Sequence, residues 1–253
     1  MKKLLLMTAV AILFVSAGCN CPCGLFSSEG SVNSIVAQMN KAVDVAGKAS
    51  TINTAIIVYD SYHGSKKNSR VTLKLKKENK IRLEVRRKNS LMIRASNGKI
   101  GWEYITGKGL RMLNAQELSE LQFQAAYLAP SADLSKLFAD IKLDGSEKAA
   151  GIDCWKLVAI PSSKYQTEPV IMLVDKKTYM LVRSNEKYKK DKKVINITTY
   201  FGDYEELDGI MIPFMMVSQI GEKLLESKLV SAEWNTQILD SEFDTPKTLS
   251  KSK

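Results

Sequence analysis

From Ile152 to Trp234 the chain is a run of short, apolar-alternating segments separated by turn chemistry, and no other stretch restricts its fold as much. The segments are Ile152–Ile160, Val170–Val174, Met180–Tyr188, Val194–Phe201, Ile212–Gln219 and Leu224–Trp234. Most are divided by Pro161-Ser162-Ser163, Asp175-Lys176-Lys177, Asp191-Lys192-Lys193, Leu207-Asp208-Gly209 or Ile220-Gly221-Glu222, residues that reverse a chain cheaply. Parallel strands need crossovers of about a dozen residues, so strands joined this closely are antiparallel. One face of such a sheet is wet and the other apolar, which raises the question of what covers the apolar face.

The upstream half repeats the pattern. Thr51–Tyr59 carries apolar residues on both sides, Val71–Leu75 and Ile81–Val85 alternate strictly, and Glu78-Asn79 is the turn between them. Leu91–Ala95 and Ile100–Ile105 flank Asn97-Gly98, a type I′ hairpin signal, and Gly109–Leu113 follows. Helical periodicity appears in three places. Val32, Ile35, Val36, Met39, Val43 and Ala46 share a face behind a cap at Ser31 or Asn33, predicting a helix to about Gly47. Ala115–Leu128 has a capping box in Asn114 and Glu117 and a stripe of Leu118, Leu121, Phe123, Ala125 and Leu128, stopped by Pro130. Asp133 caps a short helix containing Leu134, Leu137 and Phe138, and strands resume from Lys142. Helices that interrupt a strand series lie over one face of the sheet or in the mouth of a curved one. They either cover a core or work as a movable lid.

Met1-Lys2-Lys3, the apolar run Leu4–Val15 and the small residues Ser16-Ala17-Gly18 read as a secretory signal peptide over 1–18. Ser16-Ala17-Gly18-Cys19 resembles a bacterial lipobox, although the preferred leucine three places before the cysteine is Ser16 here. That resemblance implies a diacylglyceryl group, with palmitate, on Cys19, and a lipidated tether over 19–30. Asn20 is not the aspartate that retains enterobacterial lipoproteins at the inner membrane, so an outer-membrane lipoprotein facing the periplasm is expected. Cys154 then either pairs with Cys21 or Cys23 or sits buried as a small hydrophobe. His63 is the single histidine and has no metal-ligand company; neither a metal nor a cofactor is expected.

The balance of 37 Lys+Arg to 27 Asp+Glu gives a net charge of +10. The excess sits in Lys66-Lys67, Lys74–Lys80, Arg82–Lys88 and Lys187–Lys193. A solvated strand face with charged turns, or attraction to an anionic membrane surface, accounts for it, and the secretory signal argues against nucleic acid. No catalytic constellation emerges: Ser162-Ser163 has no partner histidine, and Gly107-Lys108-Gly109 lacks the phosphate-loop spacing. The chain is not expected to be an enzyme.

Five blocks in order carry a wider resemblance: Gly98–Tyr104 followed by the helix Gln116–Leu128; Gly151–Leu157; Val174–Val182; Tyr204–Pro213; and Asp240–Pro246. Over Ser31–Pro246 the chain is similar to the bacterial outer-membrane lipoprotein-sorting protein family, the periplasmic lipoprotein carriers and their relatives. The resemblance implies a mainly β fold with α: a single unclosed antiparallel β-barrel, or half-barrel, wrapped around helices (31–246), then a flexible tail (247–253). It also implies an apolar cavity for acyl chains of a lipoprotein or phospholipid, serving lipoprotein sorting or transport. A monomer with a possible carrier or partner protein is expected. Each acyl methylene taken from water is worth roughly 0.8 kcal/mol. The residues proposed for cavity or lid are Met92, Trp102, Met112, Leu118, Leu121, Phe123, Met172 and Met215. Two departures stand out. The soluble carriers are not lipidated, and no arginine matches the family's lid-locking residue, with Arg94 and Arg111 the positional candidates. The alternative on the same fold is a protein-interaction or envelope-stress sensor module.

Overall fold

The structure, a computed structural model, describes residues 31–165, 167–190 and 193–247. The signal peptide, Cys19 and the tether therefore lie outside the described residues. The strands are β1 Thr54–His63, β2 Lys66–Lys76, β3 Lys80–Arg87, β4 Ser90–Ser96, β5 Gly101–Ile105, β6 Gly109–Met112, β7 Phe138–Ala149, β8 Ile152–Pro161, β9 Val170–Asp175, β10 Leu181–Lys190, β11 Lys193–Leu207, β12 Ile210–Ile220 and β13 Lys223–Trp234. All thirteen form one sheet in the order β6-β5-β4-β3-β2-β1-β13-β12-β11-β10-β9-β8-β7. From β1 the chain fans outward to β6, crosses to the far edge at β7 and walks back until β13 pairs with β1. β6 and β7 are the two edges, so the sheet is an unclosed half-barrel, the architecture that the sequence implied.

Three helices lie on the inner face: α1 Val32–Val43, α2 Ala115–Tyr127 and α3 Leu134–Leu137. Each opens on a polar cap. Ser31 Oγ accepts the Ser34 N–H, Asp133 Oδ1 accepts that of Ser135, and Asn114 and Glu117 form the reciprocal capping box. α1 stops short of Gly47, because Asp44 bridges to Ile210 and the Ala46 N–H donates to the Gly209 carbonyl. At Gly209 (φ +88°) any side chain would collide with Ala46. Tertiary pairing there overrides helix periodicity.

Strand alternation sorts the core into two sides. Ala55, Ile57 and Tyr59, Val71, Leu73 and Leu75, and Ile81, Leu83 and Val85 point inward and pack with Ile35, Met39 and Val43 of α1 and Leu121, Phe123 and Tyr127 of α2. The outer face carries two smaller clusters, one of Ile93, Ala95 and Trp102, the other of Ala149, Cys154, Leu173 and Val182. Cys154 is a free, fully buried thiol in the second of these, and burial raises its pKa.

Two sequence expectations shift. The hairpin after β4 turns on Gly98-Lys99 rather than Asn97-Gly98: the Asn97 N–H donates to the Ile100 carbonyl, and of these residues only Gly98 has positive φ (+91°). That is the glycine-first type of two-residue turn, and the Asn97 side chain instead accepts the Lys99 and Ile100 N–H groups. β7 begins at Phe138, not near Lys142, because its mostly exposed edge strand has no alternation to reveal it.

Candidate functional site: the inner face and its helical cover

α2 is the element that closes the half-barrel. Its apolar stripe buries Leu121, Phe123, Ala125 and Tyr127 to 5% exposure or less. Burying Leu121 and Phe123 is worth about 1.5–3 kcal/mol each relative to leaving them in water. Phe123 stacks on Tyr127 at 5.4 Å between ring centres and meets Phe138 and Tyr165 edge-on at 5.7 and 5.3 Å. This aromatic knot ties α2 to the start of β7 and to the loop after β8.

The opposite end of α2 is held by charge. Arg111 on β6 donates twice to the Glu117 carboxylate, at 2.8 Å each, and reaches Glu103 on β5 at 2.9 Å. Arg94 on β4 lies 3.6 Å from Glu103. Hydrogen bonding to Arg111, the leading cause, holds the Glu117 carboxyl down at about 2. The two positional candidates for a lid-locking arginine thus converge on the first turn of α2, Arg111 directly and Arg94 through Glu103. Glu103 and Glu117 were missed as partners, although Glu103 falls on the same alternation phase as Ile105.

The proposed cavity and lid residues separate by face. Met92, Leu121, Phe123 and Met172 belong to the inner cluster, and Leu118 of α2 is half-buried beside Gly101, whose lack of a side chain admits it. Trp102 and Met112 are cross-strand partners on the outer face. Met215 also faces outward, paired to Lys228, which itself pairs with Asp60. The structure does not bring these three together with the other five. Each is displaced by one step of strand alternation, which reverses the face a side chain occupies.

Trp102 has another partner. Residues 235–247 cross the outer face as a strap, and the Trp102 Nε1–H donates to the Phe243 carbonyl at 3.0 Å with both side chains fully buried. Asp240 pairs with Lys76 and Lys80 at 2.7 and 3.1 Å, Glu242 pairs with Lys74, and Arg82 donates to the Glu242 carbonyl at 2.8 Å. Part of the basic run from Lys74 to Arg82 is therefore matched within the chain.

The inner face is not wholly apolar. Ser184, Glu186 and Tyr188 of β10 point inward; Tyr188 O–H donates to Glu186 Oε2 at 2.5 Å, Ser184 O–H to Oε1 at 3.3 Å, and Gln124 of α2 donates to the Tyr188 hydroxyl at 3.2 Å. Burial pushes the Glu186 carboxyl above its ordinary value, and the hydrogen bonds from Tyr188 and Ser184 offset only part of it. An acid with a raised folded pKa binds an extra proton in the native state, so its stabilising effect is present below about pH 4.5 and is lost as pH rises through the folded pKa. The urea midpoint of the wild type should accordingly contain a component that declines as pH rises above the ordinary carboxyl range. That component is expected to vanish in Glu186→Gln; an unchanged pH profile in the variant would contradict the assignment.

Between the end of α2 and the β1–β2 strand ends lies a half-open cleft of about 280 Å³ floored by Ala125, Ala129 and Leu137, with Lys77, Lys136 and Lys164 at its rim. Ligand sites usually measure about 300–1,000 Å³, so a long chain would have to displace α2 side chains.

Comparison with known proteins bears on this arrangement. Residues 132–251 match a family model described as "-like: Uncharacterized protein". No curated protein matches the sequence. Among solved structures, a LolA superfamily protein from Nitrosomonas europaea aligns with a TM-score of 0.55 at 10% identity, over 85% of this chain and 98% of the other. A DUF1329 family protein from Desulfovibrio piger aligns at 0.52 and 16% identity, over 83% and 97%. An outer membrane lipoprotein-sorting protein domain from Vibrio parahaemolyticus aligns at 0.51 and 14% identity, over 76% and 89%. The chain shares the half-barrel fold of these proteins.

Proposed function

We propose that this protein binds acyl chains, of a lipoprotein or a phospholipid, between the inner face of its half-barrel and α2, and that it acts by non-covalent transfer in the bacterial envelope. One observation carries the reading. A large apolar cluster on the inner face is covered by short helices and not by a second sheet, and the main cover is fastened at one end by an ion network between side chains. Displacing α2 exposes apolar surface at a cost that an incoming acyl chain repays by covering it again. Lipidation at Cys19 then tethers the domain to the membrane it serves, which on the Asn20 criterion is the outer membrane, periplasmic side. The sequence similarity to lipoprotein-sorting proteins and the shared fold support this role.

Native mass spectrometry of the protein purified without detergent, before and after organic extraction, tests the proposal. An adduct that is lost on extraction and identified as phospholipid or acylated peptide is the expected result. Bare protein that also refuses a fluorescent fatty-acyl probe would remove the acyl-binding reading and favour a protein-interaction module, for which the outer edge of the twelve-residue strand β7, paired on its other side with β8, offers a pairing surface.

A further inference from the structure

The inner face holds one arginine that the ion network does not use. Arg87 ends β3 on the same side as Ile81, Leu83 and Val85. It is cross-strand partner to Ser90 on β4, and Ser69 on β2 sits one position beyond the Arg70–Arg86 pair, opposite Arg87. Ser69 pairs with Ser61 on β1, and Ser61 with Ser227 on β13. One guanidinium and four hydroxyls thus form a row across five adjacent strands. Ser61 is fully buried and Ser69 2% exposed, yet Ser61 Oγ and Arg87 Nη1 are both buried without a hydrogen-bond partner.

Orphaned buried donors require an explanation, and two of those among the described residues, Ser61 Oγ and Arg87 Nη1, fall in this one row. Arg94 and Arg111 each face a glutamate, whereas the inward neighbours of Arg87 on β2 and β4 are Ser69, Val71, Ser90 and Met92. Asp60, the acid of the adjoining strand, is on the outer face and engaged by Lys67 and Arg70. Burial alone shifts the Arg87 pKa, and it lowers it, as expected for a cation with no carboxylate beside it.

We propose that Arg87, with Ser61, Ser69 and Ser90, forms an anion subsite for a phosphate or carboxylate oxygen, and that the acyl ligand of this half-barrel is an amphiphile with an anionic head group. The inference rests on the acyl-binding reading for its ligand class but not for the anion site itself. A guanidinium beside hydroxyl donors suits an oxyanion through charge-assisted hydrogen bonds, and the apolar surface continuing from the row accommodates the chain attached to it.

The test compares palmitoyl lysophosphatidylglycerol, 1-palmitoylglycerol and glycerol phosphate as ligands of the purified protein and its Arg87→Gln, Arg87→Lys and Ser61→Ala variants. Wild type should bind the anionic amphiphile roughly 10- to 100-fold more tightly than the neutral one, the scale of one or two charge-assisted hydrogen bonds. Arg87→Gln should abolish that preference while leaving 1-palmitoylglycerol binding within about twofold, which also shows that the variant is folded. Arg87→Lys should retain part of the preference and Ser61→Ala should reduce it. Arg87-dependent binding of glycerol phosphate without either amphiphile would uphold the anion site, identify a free phosphate ester as its ligand and overturn the acyl reading. Equal affinity of wild type for the two amphiphiles, or an unchanged preference in Arg87→Gln, overturns the subsite while leaving acyl binding intact. Failure to bind any of the three overturns both.

Discussion

Phe243→Ala is expected to destabilise the protein by about 3–5 kcal/mol, the cost of emptying a fully enclosed aromatic site. Phe243 has no exposed surface, and its neighbour Trp102, likewise at 0% exposure, donates its indole N–H to the Phe243 carbonyl. The loss should exceed that of an ordinary surface-strap residue because the strap organises charge as well. With Phe243 anchored, Asp240 and Glu242 are held over Lys74, Lys76 and Lys80; once the strap lifts, those lysines on β2 and β3 repel one another across adjacent strands. Chemical denaturation followed by far-UV circular dichroism measures the effect. A variant within 1 kcal/mol of wild type (about five-fold in the folding equilibrium) would show that the strap is not structural.

Glu103→Gln is expected to have the second large effect, on stability and on gating together. Glu103 is 8% exposed and sits between Arg94 and Arg111. Removing one member of a buried ion pair costs about 3–5 kcal/mol. Arg111 is partly solvated and keeps Glu117, so the lower figure of about 2–3 kcal/mol is expected here. The distinctive consequence is local: the first turn of α2 loses its fastening to β4 and β5, and amide exchange in α2 should accelerate well before exchange in β1, β2 or β13. Acyl-probe uptake should quicken in parallel. Destabilisation spread evenly through the sheet, with no change in uptake rate, would mean that the network merely supports the fold.

Much of the architecture was legible in the sequence because antiparallel sheets write themselves in period two. β3 and β2 from Ser69 onward alternate strictly, the turn at Glu78-Asn79 adopts the left-handed backbone that asparagine tolerates, and the Asn114–Glu117 capping box forms as its spacing predicts. What escaped was whatever depends on distant partners. Nothing local in Ile35–Ala46 announces that Gly209 will cut α1 short, and the exposed β7 has no stripe to read. An apolar inner face follows from composition and alternation alone, whereas the face of a single residue follows only from the phase of its own strand. Alternation from Met92 would have placed Arg94 inward and Ile93 outward, and cross-strand pairing would then have set Trp102 and Met112 on the far side. Glu186 was readable by the same logic, as an acid on the inward phase of β10.

The central claim is that acyl chains occupy the inner face beneath α2, and photo-crosslinking with a diazirine-bearing palmitate tests it most directly. After irradiation and proteolysis, labelled peptides should come from α2 and from the inward positions of β9, β11 and β12, at Met172, Phe201 and Met216 among them. Labelling should fall when unmodified palmitate competes. Label confined to the strap, to Trp102 and Met112 or to other outward positions, or label that palmitate does not displace, would contradict the account.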